Sequence, residues 1–270
     1  MQEQFELAAG SVKGTEHQRL GKNNQDGYYS INSQGTNLIA VVCDGCGSGQ
    51  HSEVGAKIGA RLLVETIRRS LPYREGFWQD IHSKVLMQLR NLAQGFGDNL
   101  TDIVNDYFLF TVVGTLIVPE GAFIFAIGDG IFAINGEVVQ LGPFANNAPP
   151  YLGYGILDEV NQSWQFQVHR TLPMSEVESI LIGTDGVGDL IKSASIDLPR
   201  KSERVGEISQ FWTEDRYFSN SDNIRRRLSL INREVNYPNW SERSLVKQGG
   251  LLPDDTTLLV IRRKKLLPNP

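Results

Sequence analysis

The stretch that most constrains the fold is residues 38–49, where an apolar run leads into an acid and a glycine-rich turn. Residues 38–43 read Leu-Ile-Ala-Val-Val-Cys, which is typical of a buried strand. Asp44 follows directly, and the glycines after it allow the backbone to approach a ligand closely. A helical pattern begins near Glu53, so Ser52 is the better candidate for the cap of that helix. Asp44 is therefore free for chemistry.

The same arrangement of apolar run and acid recurs at three further positions. They are Asp129 after residues 122–128, Asp185 after residues 179–184, and Asp254 just before the strand-like residues 256–261. One acid at a strand end is usually a turn residue. Several of them, followed by glycine or a second acid, are typical of a site for a hard divalent cation, because magnesium and manganese take oxygen ligands.

Length and composition are those of an ordinary globular protein, with 270 residues, 40% hydrophobic and 21% charged. We find no internal repeat and no low-complexity linker, so we expect one domain over residues 1–270. The formal net charge of −5 argues against nucleic-acid binding. No apolar run approaches the length of a membrane span, and the N-terminus lacks the core of a signal peptide. We therefore expect a cytoplasmic protein with no membrane partner, and a monomer by default.

The two cysteines, Cys43 and Cys46, have the spacing of a redox pair. They flank Asp44 on a strand and a turn, however, and do not open a helix. We therefore favour a core position for Cys43 and a turn position for Cys46, with the redox pair as the less favoured alternative. A reducing cytoplasm is the simplest compartment for such a chain.

Periodicity predicts strands at 5–12, 28–31, 37–43, 108–118, 122–128, 131–135, 137–141, 163–169, 179–184 and 256–262. Helical spacing predicts helices over 53–70 and 76–94, a short helix near 203–212 and an arginine-rich helix over 222–234. Residues 14–27 have the composition of a long polar loop. Because most strands are joined by short hairpin connections, the sheets should be largely antiparallel. Two such sheets packed face to face, with helices outside, form the predicted sandwich.

An ordered set of short motifs then identifies a family. The motifs are Asn24-Gln25-Asp26, Asp44-Gly45-Cys46-Gly47-Ser48-Gly49, Gly114-Thr115, Gly128-Asp129-Gly130, Asp185-Gly186-Val187-Gly188-Asp189 and Asp254-Asp255-Thr256-Thr257. This set resembles the metal-dependent protein phosphatase family of the protein phosphatase 2C type, over residues 10 to 262. The segments 14–26 and 52–56 look most like a divergent bacterial branch.

The resemblance implies an α+β protein with a four-layer α-β-β-α sandwich and a binuclear Mn²⁺ or Mg²⁺ centre between the sheets. The roles it implies are these: Asp44 bridges both metals, the Gly45 carbonyl binds one, Asp185 and Asp254 complete the other, Asp26 holds metal-bound water, and Asp129 and Asp189 join Asp185 at a third, looser metal. All of these are expectations from the family's pattern.

The implied activity is hydrolysis of phosphoserine and phosphothreonine in a phosphorylated protein substrate, by attack of a metal-bridged hydroxide. In a bacterial signalling setting such an enzyme would counteract a serine/threonine kinase. Two alternatives to this activity stay open. The first is a non-catalytic module that binds phosphoproteins. The second is a hydrolase of small phosphoesters on the same fold, since a fold does not fix its substrate.

One departure from the family concerns the residue that grips the substrate phosphate. Many members carry an arginine five residues before Asp26, and this chain has Gly21 there. Arg19, Lys22 and His17 are nearby substitutes. Arg19 has the donor geometry best suited to phosphate, and the alternative for Arg19 and Lys22 is that they are solvated loop charges.

Other departures are more local. Gln25 stands where animal members have a metal-binding Glu, and Cys46 replaces the general-acid His proposed for some members. Asp255 is interpreted as a turn residue or as a support for the ligands. The segments 142–155 and 190–250 are the most variable, and we expect substrate choice to reside in them.

Overall fold

The computed structural model describes residues 4–33, 37–158 and 164–264. The first residue of the predicted strand 163–169 and both ends of the predicted domain 1–270 fall outside these residues. No helix in the described ranges is long and apolar enough to cross a bilayer.

The strands are β1 (Phe5–Val12), β2 (Gly27–Ser33), β3 (Asn37–Cys43), β4 (Val112–Val118), β5 (Gly121–Ile127), β6 (Gly130–Ile134), β7 (Glu137–Leu141), β8 (Gln167–Leu172), β9 (Ser179–Gly183), β10 (Val235–Asn239), β11 (Ser244–Gln248) and β12 (Thr256–Arg263). The helices are α1 (Thr15–Leu20), α2 (Ser52–Ser70), α3 (Phe77–Gln94), α4 (Leu100–Ile103), α5 (Tyr154–Leu157), α6 (Val187–Lys192), α7 (Gln210–Thr213), α8 (Arg216–Ser219) and α9 (Asn223–Ile231). A π-helical turn spans Val104–Phe108, and 3-10 turns span Ala145–Asn147 and Met174–Glu176.

Two five-stranded sheets form the centre of the molecule. One has the order β1-β12-β9-β6-β7 and the other has the order β2-β3-β4-β5-β8, with antiparallel neighbours in both. Their facing sides share one apolar cluster, which includes Val42, Val113 and Ile182. The predicted pair of antiparallel sheets is confirmed.

Helices cover the outer face of each sheet. Helices α2 and α3 pack together, and α2 lies against β2 and β3, where Leu63, Val64 and Ile67 are fully buried. On the other side, α9 lies against β1 and α7 against β12 and β9. The spacing of the apolar residues in α2 places them on one face, which buries them against the sheet. The layers therefore follow the order helix, sheet, sheet, helix, as the sequence predicted.

The start of the chain differs from the prediction. The polar segment 14–27 contains the short helix α1, which ends where Gly21 adopts φ 67°. The backbone N–H groups of Thr15 and Glu16 donate to the carbonyls of Leu252 and Pro253, at 2.9 and 3.0 Å. These long-range bonds hold a helix too short to be stable alone, so local composition did not reveal it.

The ends of several other strands and helices also differ from the prediction. The predicted strand 108–118 begins only at Val112, after the π-helical turn, and the predicted strand 163–169 is found at Gln167–Leu172. The predicted helix 203–212 is helical only from Gln210, where α7 begins, and 222–234 is helical only as α9.

The variable segment 190–250 contains a hairpin that the sequence did not predict. Strands β10 and β11 pair with each other and form a two-stranded sheet, with Pro238 opposite Leu245. A proline inside a short alternating run lowers its strand propensity. For this reason the sequence pattern did not predict the hairpin.

Candidate active site

The ends of several central strands open onto one cavity of about 180 Å³. Asp44 follows β3, Asp129 lies between β5 and β6, Asp185 follows β9 and Asp254 precedes β12. All four side chains line this cavity, although they come from four distant parts of the sequence. The antiparallel topology therefore brings together the acids that the sequence placed at strand ends.

The turn after β3 is fixed by close packing at Gly45. Its N–H donates to the Gln25 carbonyl at 3.2 Å, and a Cβ at Gly45 would lie 2.8 Å from that carbonyl oxygen and 2.9 Å from Ser52 Oγ. Thr111 N–H donates to the Asp44 carbonyl at 2.8 Å. Any side chain at position 45 would push this turn away, so glycine sets the direction of the Asp44 carboxyl.

The other acidic turns also depend on glycine. Gly128 and Gly130 have φ values of +87° and +137° on either side of Asp129, a conformation that other residues rarely adopt. A Cβ at Gly186, after Asp185, would lie only 2.1 Å from the Asp255 carbonyl oxygen. The backbone path therefore requires the glycines that follow Asp44, Asp129 and Asp185.

Burial and mutual repulsion act on these carboxyl groups. Burial raises the pKa of Asp44 well above its ordinary value, and the nearby Asp26, Asp185 and Asp254 raise it further. The Asp44 and Asp185 carboxyls are close enough to hydrogen-bond, which adds to this rise in pKa. For Asp129 and Asp254, burial and then the charge of Asp185 raise the pKa to about 6. Without a counter-ion, the site therefore resists full ionisation.

Three side-chain oxygens at or beneath the cavity are buried and have no hydrogen-bond partner within the described chain: Gln25 Oε1, Asp26 Oδ1 and Asp185 Oδ1. Buried polar atoms are normally partnered, and an exception calls for an ion or another polar group. Carboxylate, amide and backbone oxygens are the ligands that Mg²⁺ and Mn²⁺ prefer. The residues present therefore fit such cations. Within the described ranges, no three acidic, His or Cys side chains stand together as a preassembled metal cage.

Two of the predicted metal-site acids lie away from the cavity wall. Asp26 is only 3% exposed and lies below the wall, where Thr184 Oγ1 donates to its Oδ2 at 2.9 Å. Burial raises its pKa well above the ordinary value, although hydrogen bonds from Thr257 and Thr184 oppose this. Asp189, in α6, pairs instead with Lys192 at 3.0 Å.

The three candidate phosphate-binding residues are placed differently. His17 lines the cavity. The Lys22 ammonium donates to the Gly47 carbonyl at 2.7 Å, and it therefore supports the acidic turn. Arg19 is exposed on α1, away from the cavity lining.

Asp255 connects the segments around the cavity. It is 2% exposed and accepts from the N–H groups of Gly14 and Gln25, at 2.7 and 2.6 Å. His17 Nδ1 lies 2.9 Å from its Oδ2. Asp255 thus supports the residues of the wall. A supporting role was one of the two interpretations that the sequence offered for this residue.

The predicted capping role of Ser52 is wrong. Ser52 is already the first residue of α2, and its hydroxyl accepts from Gln25 Nε2 at 2.8 Å. A cap residue stands just before the first helical turn, and here that residue is His51, with φ −138°, ψ 33° and no side-chain cap bond. Ser52 instead orients the amide that faces the cavity.

Both cysteines are free. Cys43 is fully buried, and burial raises the pKa of its thiol. Cys46 lines the cavity. Desolvation opposes ionisation of Cys46, but hydrogen bonds from Ser48 and Tyr151 outweigh it and lower its pKa. Tyr151 also lines the cavity, and its only sequence signal was its place in the irregular segment 142–155.

Comparison with known proteins agrees with this geometry. A family model described as protein phosphatase 2C matches residues 13–223. No curated protein sequence matches the chain.

Solved structures with the same fold include the serine/threonine phosphatase Stp1 of Staphylococcus aureus, at 14% identity and a TM-score of 0.56, with 98% of each chain covered. They also include PppA, a regulatory component of the type VI secretion system (T6SS) of Pseudomonas aeruginosa, at 18% identity and a TM-score of 0.51, with 96% of this chain and 98% of that chain covered. At such identities these structures show a common fold. Since the family model covers most of the sequence, the chain belongs to the protein phosphatase 2C family.

Proposed function

We propose that this chain is a metal-dependent phosphoprotein phosphatase that hydrolyses phosphoserine and phosphothreonine. The observation that carries the proposal is the convergence of Asp44, Asp129, Asp185 and Asp254 on one cavity. Acids in this order are the family's metal-binding positions, and unpartnered oxygens at and beneath the wall suit a hard cation. Such a set is costly to maintain in a protein that has no use for a cation.

The residues that would hold two cations are Asp44, the Gly45 carbonyl, Asp185 and Asp254, with Asp26 one water molecule further away. Asp129 and Asp189 would hold a third ion with Asp185. When bound, Mn²⁺ or Mg²⁺ would activate water at neutral pH and neutralise charge on the phosphoryl oxygens.

The protein's own groups make substrate binding depend on the cations. A phosphate dianion that entered the cavity would meet several carboxylates, which repel it. The wall also contains Pro149 and Tyr151 from the segment 142–155, so this segment would lie beside a substrate that entered the cavity. We infer that it contributes to substrate choice.

The natural substrate in this proposal is a phosphorylated protein, and the enzyme would counteract a serine/threonine kinase as a cytoplasmic monomer. The non-catalytic binding module and the hydrolase of small phosphoesters are the outcomes that the following experiment would reveal if the proposal is wrong.

The experiment measures phosphate release from a phosphothreonine peptide and from small phosphate esters, with Mn²⁺ or with a chelator. We expect Mn²⁺-dependent turnover of the peptide by the wild type, and a loss of at least about 10²-fold in Asp44→Asn because Lewis-acid catalysis contributes several kcal/mol. Asp98→Asn, at an exposed position, is the matched control and should keep full activity.

Two results would contradict the proposal. Peptide binding without turnover would favour the non-catalytic module. Turnover of small esters with none of the peptide would favour the small-ester hydrolase.

A further inference from the structure

The wall of the cavity contains one imidazole among its carboxylates. His17, on α1, lines the cavity together with Asp44, Asp185 and Asp254. The nearby cations do not occupy this place, because the Lys22 ammonium is bound to the Gly47 carbonyl and Arg19 is exposed on α1.

The contact with Asp255 decides which nitrogen of the His17 ring is left without a partner. Two backbone N–H groups, from Gly14 and Gln25, donate to this carboxylate at 2.7 and 2.6 Å. The carboxylate is therefore an acceptor, so the His17 Nδ1 that lies 2.9 Å away carries the hydrogen of that bond. Nε2 is the nitrogen left for the cavity, and no described residue is its hydrogen-bond partner.

The imidazole is also held rigidly relative to the proposed metal ligands. The N–H groups of Thr15 and Glu16 donate to the carbonyls of Leu252 and Pro253. A Cβ on Gly14 would lie only 2.4 Å from the Asp254 carbonyl carbon, so the start of α1 packs directly on the chain that carries Asp254. A carboxylate that orients one nitrogen of a fixed imidazole is an arrangement that suits proton transfer at the other nitrogen.

We propose that His17 donates the proton that the alcohol takes when it leaves, and that Asp255 is the positioning residue for His17. This role rests on the proposed phosphatase activity. The oxygen of water forms a bond to phosphorus, the ester P–O bond breaks, and its electron pair stays on the serine or threonine oxygen. That oxygen takes the proton from Nε2, and the proton that water loses returns to Nε2 through solvent. The sum is ester plus water to alcohol plus inorganic phosphate.

The test compares two leaving groups in His17→Gln. A serine or threonine alkoxide needs a proton in order to leave, whereas p-nitrophenolate leaves as a stable anion. We expect kcat for a phosphothreonine peptide to fall by about 10²-fold or more, the usual contribution of a general acid, while kcat for p-nitrophenyl phosphate changes by less than about 3-fold because that step needs no general acid. The affinity for inorganic phosphate and for Mn²⁺, measured by calorimetry, should stay at the wild-type value.

The control is His51→Gln, which makes the same change at an exposed position and should leave both activities intact. Equal losses on the two substrates, or a weaker affinity for inorganic phosphate, would show that His17 only grips the phosphate or only supports the fold, and would overturn the proposal. No loss on either substrate would overturn it as well. If the wild type itself turns over neither substrate, the phosphatase function fails first, so the two failures are distinguishable.

Discussion

Strands β3 and β9 run through two contrasting environments. In the space between the sheets, Val42 and Ile182 are fully buried in an apolar cluster. Two or three residues later the chain reaches Asp44 and Asp185, whose carboxyls lie close together and repel each other. The apolar part of each strand therefore stabilises the fold by hydrophobic burial. The acid that follows each strand destabilises the fold through desolvated like charges.

This contrast shows how the fold can maintain an unfavourable site. The apolar region and the hydrogen-bonded ladders keep the strand ends in place, so they hold the acids near one another against their mutual repulsion. If that account is right, substitutions in the apolar region should destabilise the protein under all conditions, whereas substitutions in the acidic region should have effects that depend on metal and on pH.

The largest effect on stability should come from the apolar region. Ile182→Ala removes buried methyl groups and leaves a cavity, which costs about 2–5 kcal/mol of the free energy of unfolding. The loss should be the same with Mn²⁺ and with a chelator when measured by denaturant unfolding. Val138→Ala, at an exposed position on β7, should change the stability by less than about 0.5 kcal/mol. A loss in Ile182→Ala that Mn²⁺ reverses would break the contrast.

The next effect concerns Asp255, which lies beside the cavity acids but has hydrogen-bond partners for both of its carboxylate oxygens. Asp255→Ala leaves the N–H groups of Gly14 and Gln25 without their acceptor, and an unpartnered buried group costs about 1–3 kcal/mol. We expect lower stability in the metal-free protein, in contrast to the neighbouring cavity acids. Unchanged thermal unfolding of this variant would show that Asp255 does not support the wall.

A smaller effect of opposite sign is expected at Asp185. Asp185→Asn removes one of the repelling charges beside Asp44, so the metal-free protein should become more stable. A gain of about 1 kcal/mol corresponds to a rise of about 2–4 °C in Tm for a domain of this size. Differential scanning calorimetry with a chelator checks it, with Asp98→Asn as the control. A lower Tm in Asp185→Asn would mean that the acidic end is not under electrostatic strain.

The smallest effect is a dependence on pH. The pKa values of Asp129 and Asp254 rise to about 6 in the folded protein, above the ordinary value of about 3.9 for the unfolded chain. The folded state therefore binds more protons between these values, and the stability from these groups is present at low pH and is lost as the pH rises through 6.

The Tm of the metal-free wild type should therefore fall between pH 5 and pH 7, and the fall should be weaker in Asp129→Asn. An equal fall in both proteins would assign the dependence to other groups.

The two sheets and the acids at their strand ends could be predicted from the sequence for a physical reason. The acids follow apolar runs such as 38–43, and a run of that kind folds as a buried strand whatever its neighbours are. Once two antiparallel sheets are inferred, the ends of their strands meet, and the convergence of Asp44 and Asp185 follows.

What the sequence did not reveal depends on contacts between distant residues. The bond between His17 and Asp255 joins positions 238 residues apart, and helix α1 exists because its first N–H groups bind the chain at 252–253. Patterns within a short window do not encode such pairings. The hairpin of β10 and β11 is a local pairing, and it was missed because Pro238 interrupts its alternating pattern.

Metal binding at the acidic strand ends is tested most directly by the Tm of the wild type and of Asp44→Asn, each with a chelator and with saturating Mn²⁺. A cation that binds only the folded state at 100 times its Kd adds about 2.7 kcal/mol of stability, so the Tm of the wild type should rise by several degrees. Asp44→Asn should start from a higher metal-free Tm and gain much less. A wild-type Tm that Mn²⁺ leaves unchanged, or an equal gain in both proteins, would contradict the account.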